Sequence, residues 1–132
     1  MQNPSGSQAG IAGEYLVAGE LCRRGCIASL TLRNTKGVDI LAASADASKS
    51  VAIQVKTNQG DHPRWPLGKN AEAHCANGFF YVLVNLHHGG HPTYHVVPSH
   101  VVAQFARTKS GSMRTFEDKS GEYSERWDLL GL

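Results

Sequence analysis

A carboxylate interrupts the apolar side of the first predicted helix. Residues 9–24 repeat small and apolar side chains at helical spacing, and Glu14 falls at the centre of their arc, between Gly10 and Val17. A charge on that arc would face the protein interior, where it costs several kcal/mol unless another group compensates it. Glu14 therefore indicates either a polar partner in the interior or a helix rotated so that Glu14 lies at its rim.

Two later segments place polar side chains within predicted strands. Asp39 follows Gly37-Val38 and interrupts an apolar run; because aspartate is a poor strand former, it either ends a turn or serves a site. In the segment 51–57 the alternation of side chains puts Gln54 and Lys56 on one face, about 7 Å apart along the strand. A strand with one face in solvent would explain why two polar side chains lie on the same face. The alternative is that Gln54 and Lys56 have a chemical role.

These residues lie in a chain whose pattern predicts an α/β fold. Strands are predicted from β-branched, aromatic and apolar content over 27–33, 38–43, 51–57, 79–86 and 93–97, and helices over 9–24 and 99–107. The order α-β-β-β-(α)-β-β-α favours a mixed central sheet flanked by helices, with the nearly continuous apolar run 79–86 as a central strand.

The sequence is predicted to form one domain, 1–132, and the segments outside the predicted helices and strands are its ends and one long connection. Residues 1–8 are polar and expected to be flexible, and 58–77 is a polar stretch with at most one or two helical turns. The tail 109–132 is loop-like, and its Trp127 is expected to dock the tail on the body of the domain.

The composition is that of an ordinary globular protein. The 132 residues are 41% hydrophobic and 18% charged, which excludes a disordered or fibrous chain. No apolar run reaches the roughly 18 residues that a membrane-spanning helix needs, and no signal-peptide pattern opens the sequence. The three cysteines, Cys22, Cys26 and Cys75, lack the spacing of a disulfide framework, so a reducing, cytoplasmic location is expected and a membrane partner is not.

Charge is unevenly distributed along the chain. Residues 1–116 hold 11 Lys and Arg against 6 Asp and Glu, whereas residues 117–132 hold 2 against 5. A basic body is compatible with a phosphate-bearing partner, and a solvated surface with an acidic end explains the same distribution.

The order of these features resembles the PD-(D/E)XK nuclease superfamily, most closely its branch of archaeal Holliday junction resolvases. A helical Glu14 ahead of Gly25, a strand with Asp39-Ile40 and a strand with Gln54-Val55-Lys56 match that order over roughly residues 9–57. The chain is also similar to short uncharacterised bacterial proteins, through the segments 81–84 and 97–99 and through Trp127. The resemblance implies a restriction-endonuclease-like fold.

The resemblance also implies a metal-dependent endonuclease that cuts DNA and leaves 5′-phosphate ends. Its cofactor would be Mg²⁺, with Mn²⁺ as a substitute, and the ligands would be Glu14, Asp39, the Gln54 side-chain oxygen and the Val55 carbonyl. Lys56 would orient or help to deprotonate the attacking water and offset charge in the transition state.

One departure from the family pattern leaves a second hypothesis open. Gln54 stands where most members carry Asp or Glu, so the site lacks one negative charge, although Gln-x-Lys occurs in some branches; Val38 in place of proline is minor. The alternative is a weak or inactive nuclease-fold module that binds nucleic acid or a protein.

Other candidate contacts lie outside this set. Arg64, Trp65 and Lys69 follow Lys56 in a polar stretch and are predicted to contact nucleic acid, with Trp65 either stacking on a base or packing over the sheet edge.

Two further expectations concern metals and assembly. The cluster His87, His88 and His91 is interpreted as a solvated hairpin tip rather than a transition-metal site. A homodimer is expected because cutting two strands calls for two active sites, with segments 79–86 and 127–132 as its interface unless both are core.

Overall fold

The computed structural model describes residues 1–33, 35–108 and 113–132, and its centre is a five-stranded mixed sheet. The sheet has the order β1-β2-β3-β5-β6, from Ile27–Leu30 (β1), Ile40–Ala43 (β2), Ser50–Asn58 (β3), Phe79–Asn85 (β5) and Thr93–Pro98 (β6). Neighbouring strands pair antiparallel except β3 and β5, which run parallel from Ala52 opposite Phe79 to Asn58 opposite Asn85. The predicted α/β class with a mixed sheet is confirmed.

The first helix, α1 (Gly6–Arg23), begins three residues before its predicted start. Ser5 caps it: the Ser5 hydroxyl accepts from the Gln8 N–H at 3.2 Å, and the Gln8 side chain accepts from the Ser5 N–H at 2.9 Å. Residues 6–8, which the sequence pattern assigned to a flexible segment, are therefore helical.

Helix α1 packs against one face of the sheet. Its buried stripe of Ala9, Gly13, Val17 and Leu21 lies at helical spacing. The core on this face combines α1, the sheet and the C-terminal segment; its buried residues are Val17, Leu21, Ile40, Ala42, Val51, Ile53, Val55, Val82, Val84, Tyr94, Val96, Trp127 and Leu130. Trp127 and Leu130, in the tail that was expected to dock on the body, are buried in this core, whereas residues 109–112 of that tail lie outside the described residues.

A second, smaller sheet covers the other face. It has the order β4-β8-β7, from Arg64–Leu67 (β4), Arg107–Thr108 (β7) and Arg114–Glu117 (β8). Helix α2 (Ser99–Phe105) completes this layer. The core beneath it contains Trp65, Leu67, Ala71, Tyr81, Leu83, Val97, Val102 and Phe116.

The small sheet is the part of the fold that the sequence pattern did not predict. Strand β4 falls in the stretch 58–77, which was expected to hold only helical turns; the structure has one 3-10 turn there, Ala71–Ala73. Strand β4 has four residues, includes Pro66, and pairs with β8, which lies far along the chain. No helix in the described ranges is long and apolar enough to cross a membrane.

The closest approach of α1 to the sheet yields a stability prediction. A methyl group on Gly13 would overlap Thr57 Oγ1 and lie 3.0 Å from Thr57 Cβ, whereas one on Gly19 would meet nothing within 4 Å. We expect Gly13→Ala to lower the free energy of unfolding by about 1–3 kcal/mol through overpacking.

Gly19→Ala is the matched control on the same helix. It should raise the free energy of unfolding by roughly 0.5–1 kcal/mol, because alanine is the better helix former at an open position. Urea denaturation of both variants measures the difference, and equal effects would contradict the close approach at Gly13.

Candidate active site

The candidate site lies in a fork between β2 and β3. Strand β2 begins at Ile40, whereas β3 continues to Asn58, so the two strands separate at Asp39. The Asp39 N–H donates to the Ile53 carbonyl at 2.8 Å, and Asp39 Oδ2 accepts from the Val55 N–H at 2.7 Å. The Asp39 carboxylate thus accepts the hydrogen bond from the Val55 N–H that a backbone carbonyl would accept if β2 continued, and this bond holds the carboxylate between the two strands.

Thr31 holds Asp39 from the β1 side. The Thr31 N–H donates to the Asp39 carbonyl at 2.9 Å, and the Thr31 hydroxyl donates to the Val38 carbonyl at 2.6 Å. These bonds join the residue after β1 to the two residues before β2. Asp39 therefore has its backbone and its side chain fixed by hydrogen bonds on both sides.

Glu14 lies beside Asp39, partly buried by the approach of α1 to the sheet. Burial raises the pKa of Glu14 above its ordinary value of 4.5, and the neighbouring Asp39 raises it further through its charge and a shared hydrogen bond. The positive charge of Arg33 opposes these effects. A Glu14 carboxylate whose ionised form is disfavoured by burial and by a neighbouring carboxylate is a suitable arrangement for a bound cation.

Gln54 and Lys56 occupy the polar face of β3. Buried and partly exposed residues alternate along this strand, and both side chains lie on its partly exposed face. Asp39 lies immediately before Ile40, the first residue of β2 that pairs with β3, and its N–H bonds the Ile53 carbonyl, one position off the register of the paired residues. Gln54 and Lys56 therefore share one face of β3, and Asp39 lies beside Ile53 and Val55 at the fork.

Val55 supplies backbone groups to the same place. Its N–H points into the fork, where it donates to Asp39. In a strand the carbonyl of a residue points to the same side as its N–H, so the Val55 carbonyl also faces the fork. The groups that line the fork are thus hard oxygen donors, which are the ligands that Mg²⁺ prefers.

Glu14 and Asp39 are the carboxylates of the fork in the part of the chain that the structure describes. No group of three or more His, Cys, Asp or Glu side chains placed to hold a metal occurs among residues 1–33, 35–108 and 113–132. A metal at Glu14 and Asp39 would be completed by the Gln54 amide and the Val55 carbonyl, which carry no charge. All of these ligands are oxygen atoms, which suit a magnesium ion. Their total negative charge is lower than that of a site with three carboxylates.

The three predicted nucleic-acid contacts have different surroundings. Arg64 is exposed and its guanidinium lies 3.4 Å from a Glu117 carboxylate oxygen, and Lys69 is exposed. Trp65 is fully buried, and its indole N–H donates to the Val84 carbonyl at 3.0 Å. The prediction that Trp65 stacks on a base is wrong, because the alternation of β4 turns its ring into the core.

Two residues near the fork were missed by sequence reasoning. Arg33 acts electrostatically on Glu14, and the His74 ring packs against Gly37, where an added side chain would lie 2.8 Å from His74 Cε1. Gly37 has a φ of +78°, which favours glycine. The sequence could have indicated Arg33, because it is a basic residue shortly before Asp39. No local pattern indicates that His74 contacts Gly37.

Two solved structures have a similar fold. A bacterial homing endonuclease, I-Ssp6803I, matches with a TM-score of 0.67 and 14% identity, over 96% of this chain and 92% of that chain. The Holliday junction resolvase Hjc of the archaeal hyperthermophile Archaeoglobus fulgidus matches with a TM-score of 0.63 and 16% identity, over 92% of this chain and 95% of that chain. No known family model matches the sequence, and none of the curated proteins does. The predicted restriction-endonuclease-like fold is confirmed.

The proximity of the two carboxylates yields a prediction for pH dependence. Because the pKa of Glu14 is raised in the folded state, ionised Glu14 costs stability above that pKa, and the cost disappears below the ordinary value of 4.5. We expect Glu14→Gln to raise the free energy of unfolding near neutral pH and to leave it unchanged well below pH 4.5. Urea denaturation in EDTA across a pH series measures this.

Glu20 on the same helix provides a control of opposite sign. The Arg23 guanidinium, which hydrogen-bonds Glu20, holds the pKa of that carboxyl below its ordinary value. Its contribution to stability is present above the ordinary value and is lost as the pH falls through the lowered pKa. Glu20→Gln should therefore lower the free energy of unfolding at neutral pH; the same sign for both variants would contradict the pairing of Glu14 with Asp39.

Proposed function

We propose that the protein is a cytoplasmic, metal-dependent endonuclease that hydrolyses phosphodiester bonds in DNA and leaves 5′-phosphate ends. The observation that carries the proposal is the Asp39 carboxylate, held in the fork by the Val55 N–H and lying beside Glu14. The likeness in fold to a homing endonuclease and to a Holliday junction resolvase supports the reaction class.

The proposed cofactor is Mg²⁺, for which Mn²⁺ is a substitute. Asp39 and Glu14 would hold the ion as anionic ligands, with the Gln54 amide oxygen and the Val55 carbonyl as neutral ligands. When bound, the ion would offset the charge of the phosphate and lower the pKa of a coordinated water. Asp39 is the principal ligand in this proposal, because its side chain is already oriented by the bond to Val55 at 2.7 Å.

Lys56 is proposed to act on the reacting groups and not on the metal. It lies on the same face of β3 as Gln54, one alternation further along the strand, and it is partly exposed. Its ammonium group can orient the attacking water and stabilise the charge that develops on the phosphate in the transition state.

Gln54 is the observation that favours a second function. Without a third carboxylate the fork holds a cation less strongly, and a fold that has lost its metal can still bind nucleic acid or a protein. The alternative is therefore a catalytically weak or inactive binding module. Metal affinity and cleavage distinguish the two functions.

The catalytic residues have separable roles, which define the main experiment. We expect Asp39→Ala to lose both metal binding and cleavage, because it removes one of only two anionic ligands. Lys56→Ala should retain metal binding and lose roughly 10²–10³-fold in cleavage rate, the scale of one removed transition-state contact. Calorimetry with Mg²⁺ or Mn²⁺ and a DNA nicking assay measure the two properties.

Gln54→Glu is the matched variant in the same experiment. A charged ligand binds a hard cation more strongly than an amide oxygen does, so this substitution should tighten metal binding. If neither the wild type nor Gln54→Glu binds Mg²⁺ and no DNA is cut, the binding-module function replaces the nuclease.

We also propose that the protein acts as a homodimer, because one chain offers one site for two strands. The segments 79–86 and 127–132, first expected to form the interface unless both are core, are largely core: residues 81–85 are buried in the central strand, and Trp127 and Leu130 are buried in the core. The interface must therefore use another surface. Light scattering across the micromolar range should return the mass of two chains, and a monomer mass throughout would reject the dimer.

A further inference from the structure

The arginines of this protein divide into paired and unpaired groups. Five of the seven form ion pairs: Arg23 and Arg24 with Glu20, Arg64 with Glu117, Arg114 with Glu72 and Arg126 with Asp128. Arg33 and Arg107 have no carboxylate within ion-pair distance among the described residues. A guanidinium without an acidic partner is available to bind an anion from outside the chain.

Arg33 is held close to the fork. It lies two residues after Thr31, whose N–H and hydroxyl bind the carbonyls of Asp39 and Val38. A further bond, from the Thr35 N–H to the Leu32 carbonyl, is 2.8 Å long. The segment that leads to Arg33 is thus hydrogen-bonded to Asp39, the candidate metal ligand.

The side chain of Arg33 is exposed and forms no ion pair with a described carboxylate. Arg33 is exposed, and it makes no hydrogen bond to another described residue. The bonds of Thr31 to Asp39 and Val38 keep the start of this segment next to the fork, and the positive charge of Arg33 opposes the rise in the pKa of Glu14 that burial causes. The guanidinium N–H groups of Arg33 are therefore open to solvent.

We infer that Arg33 binds a backbone phosphate next to the scissile phosphate and so positions the DNA strand over the fork. This inference rests on the proposed function. A guanidinium presents two parallel N–H donors that match two phosphate oxygens, a geometry that a lysine ammonium lacks. Arg33 is a positioning residue: it holds the strand, while Asp39 and Lys56 act at the reacting atoms.

A purely structural role for Arg33 makes a different prediction. If Arg33 served only to offset the charge of Glu14 and Asp39, its removal would change stability and leave DNA affinity and its salt dependence as they are. A phosphate contact, by contrast, contributes to the slope of log K against log salt by about 0.9 per phosphate neutralised.

The test measures DNA binding without cleavage. Fluorescence anisotropy in EDTA, with a labelled short duplex and a labelled four-way junction as probes, is recorded over a salt series for the wild type, Arg33→Gln, Arg33→Lys and Arg107→Gln. Arg107 is the matched control because it also lacks a carboxylate partner in the described part of the chain and lies on the small sheet, in β7.

We expect Arg33→Gln to weaken binding roughly tenfold, on duplex and junction alike, and to reduce the salt slope by about 1. Arg33→Lys should restore the slope and only part of the affinity, because it keeps the charge and loses the two-donor geometry. Arg107→Gln should reproduce neither change. Equal effects of Arg33→Gln and Arg107→Gln would show that only the net charge of the protein matters, and would overturn the specific phosphate contact of Arg33.

Failure of this inference is distinguishable from failure of the proposed function. A wild type that binds and cuts DNA, with Arg33→Gln unchanged in slope and affinity, overturns the role of Arg33 and leaves the nuclease in place. A wild type that neither binds nor cuts DNA overturns the proposed function itself. Thermal denaturation confirms that each variant is folded, as expected for substitutions at exposed positions.

Discussion

The hydrogen bond from the Val55 N–H to the Asp39 carboxylate is the interaction on which the candidate site depends. It occurs where β2 separates from β3, so a side chain does what a backbone carbonyl would do in a continuous ladder. An unpaired N–H in this partly buried fork would be costly, and aspartate is short enough to satisfy it from the neighbouring strand. The same bond gives the carboxylate one orientation, which a metal ligand requires.

Helix α1 brings the second carboxylate to this bond. The helix approaches β3 so closely at Gly13 that no larger side chain fits against Thr57, and Glu14 is the next residue. The apolar stripe that includes Val17 and Leu21 anchors the helix in the core. Burial of apolar area thus supplies the free energy that holds two mutually repelling carboxylates together in the absence of a cation.

The opposite face of the sheet is closed by a separate set of contacts. Trp65 is fully buried in that core together with Leu83, and its indole N–H is satisfied by a β5 carbonyl. A buried pair, His95 Nδ1 and Asp118 Oδ2 at 2.7 Å, ties the segment after β8 to β6, and its imidazole lies 4.9 Å from the Trp65 ring. These contacts keep the small sheet on the face from which Lys56 projects, while leaving Lys56 itself partly exposed.

The sequence by itself determined the parts of the protein that depend on local periodicity. The alternation in β3 put Gln54 and Lys56 on one face, and helical spacing put Glu14 next to the buried stripe of α1, because both patterns arise between residues a few positions apart. Only the tertiary structure decided the meeting of Glu14 with Asp39, the burial of Trp65 and the position of Arg33. Each of these depends on pairing between distant segments, where the register of the sheet and the packing of the helix select the neighbours, and no local pattern encodes that choice.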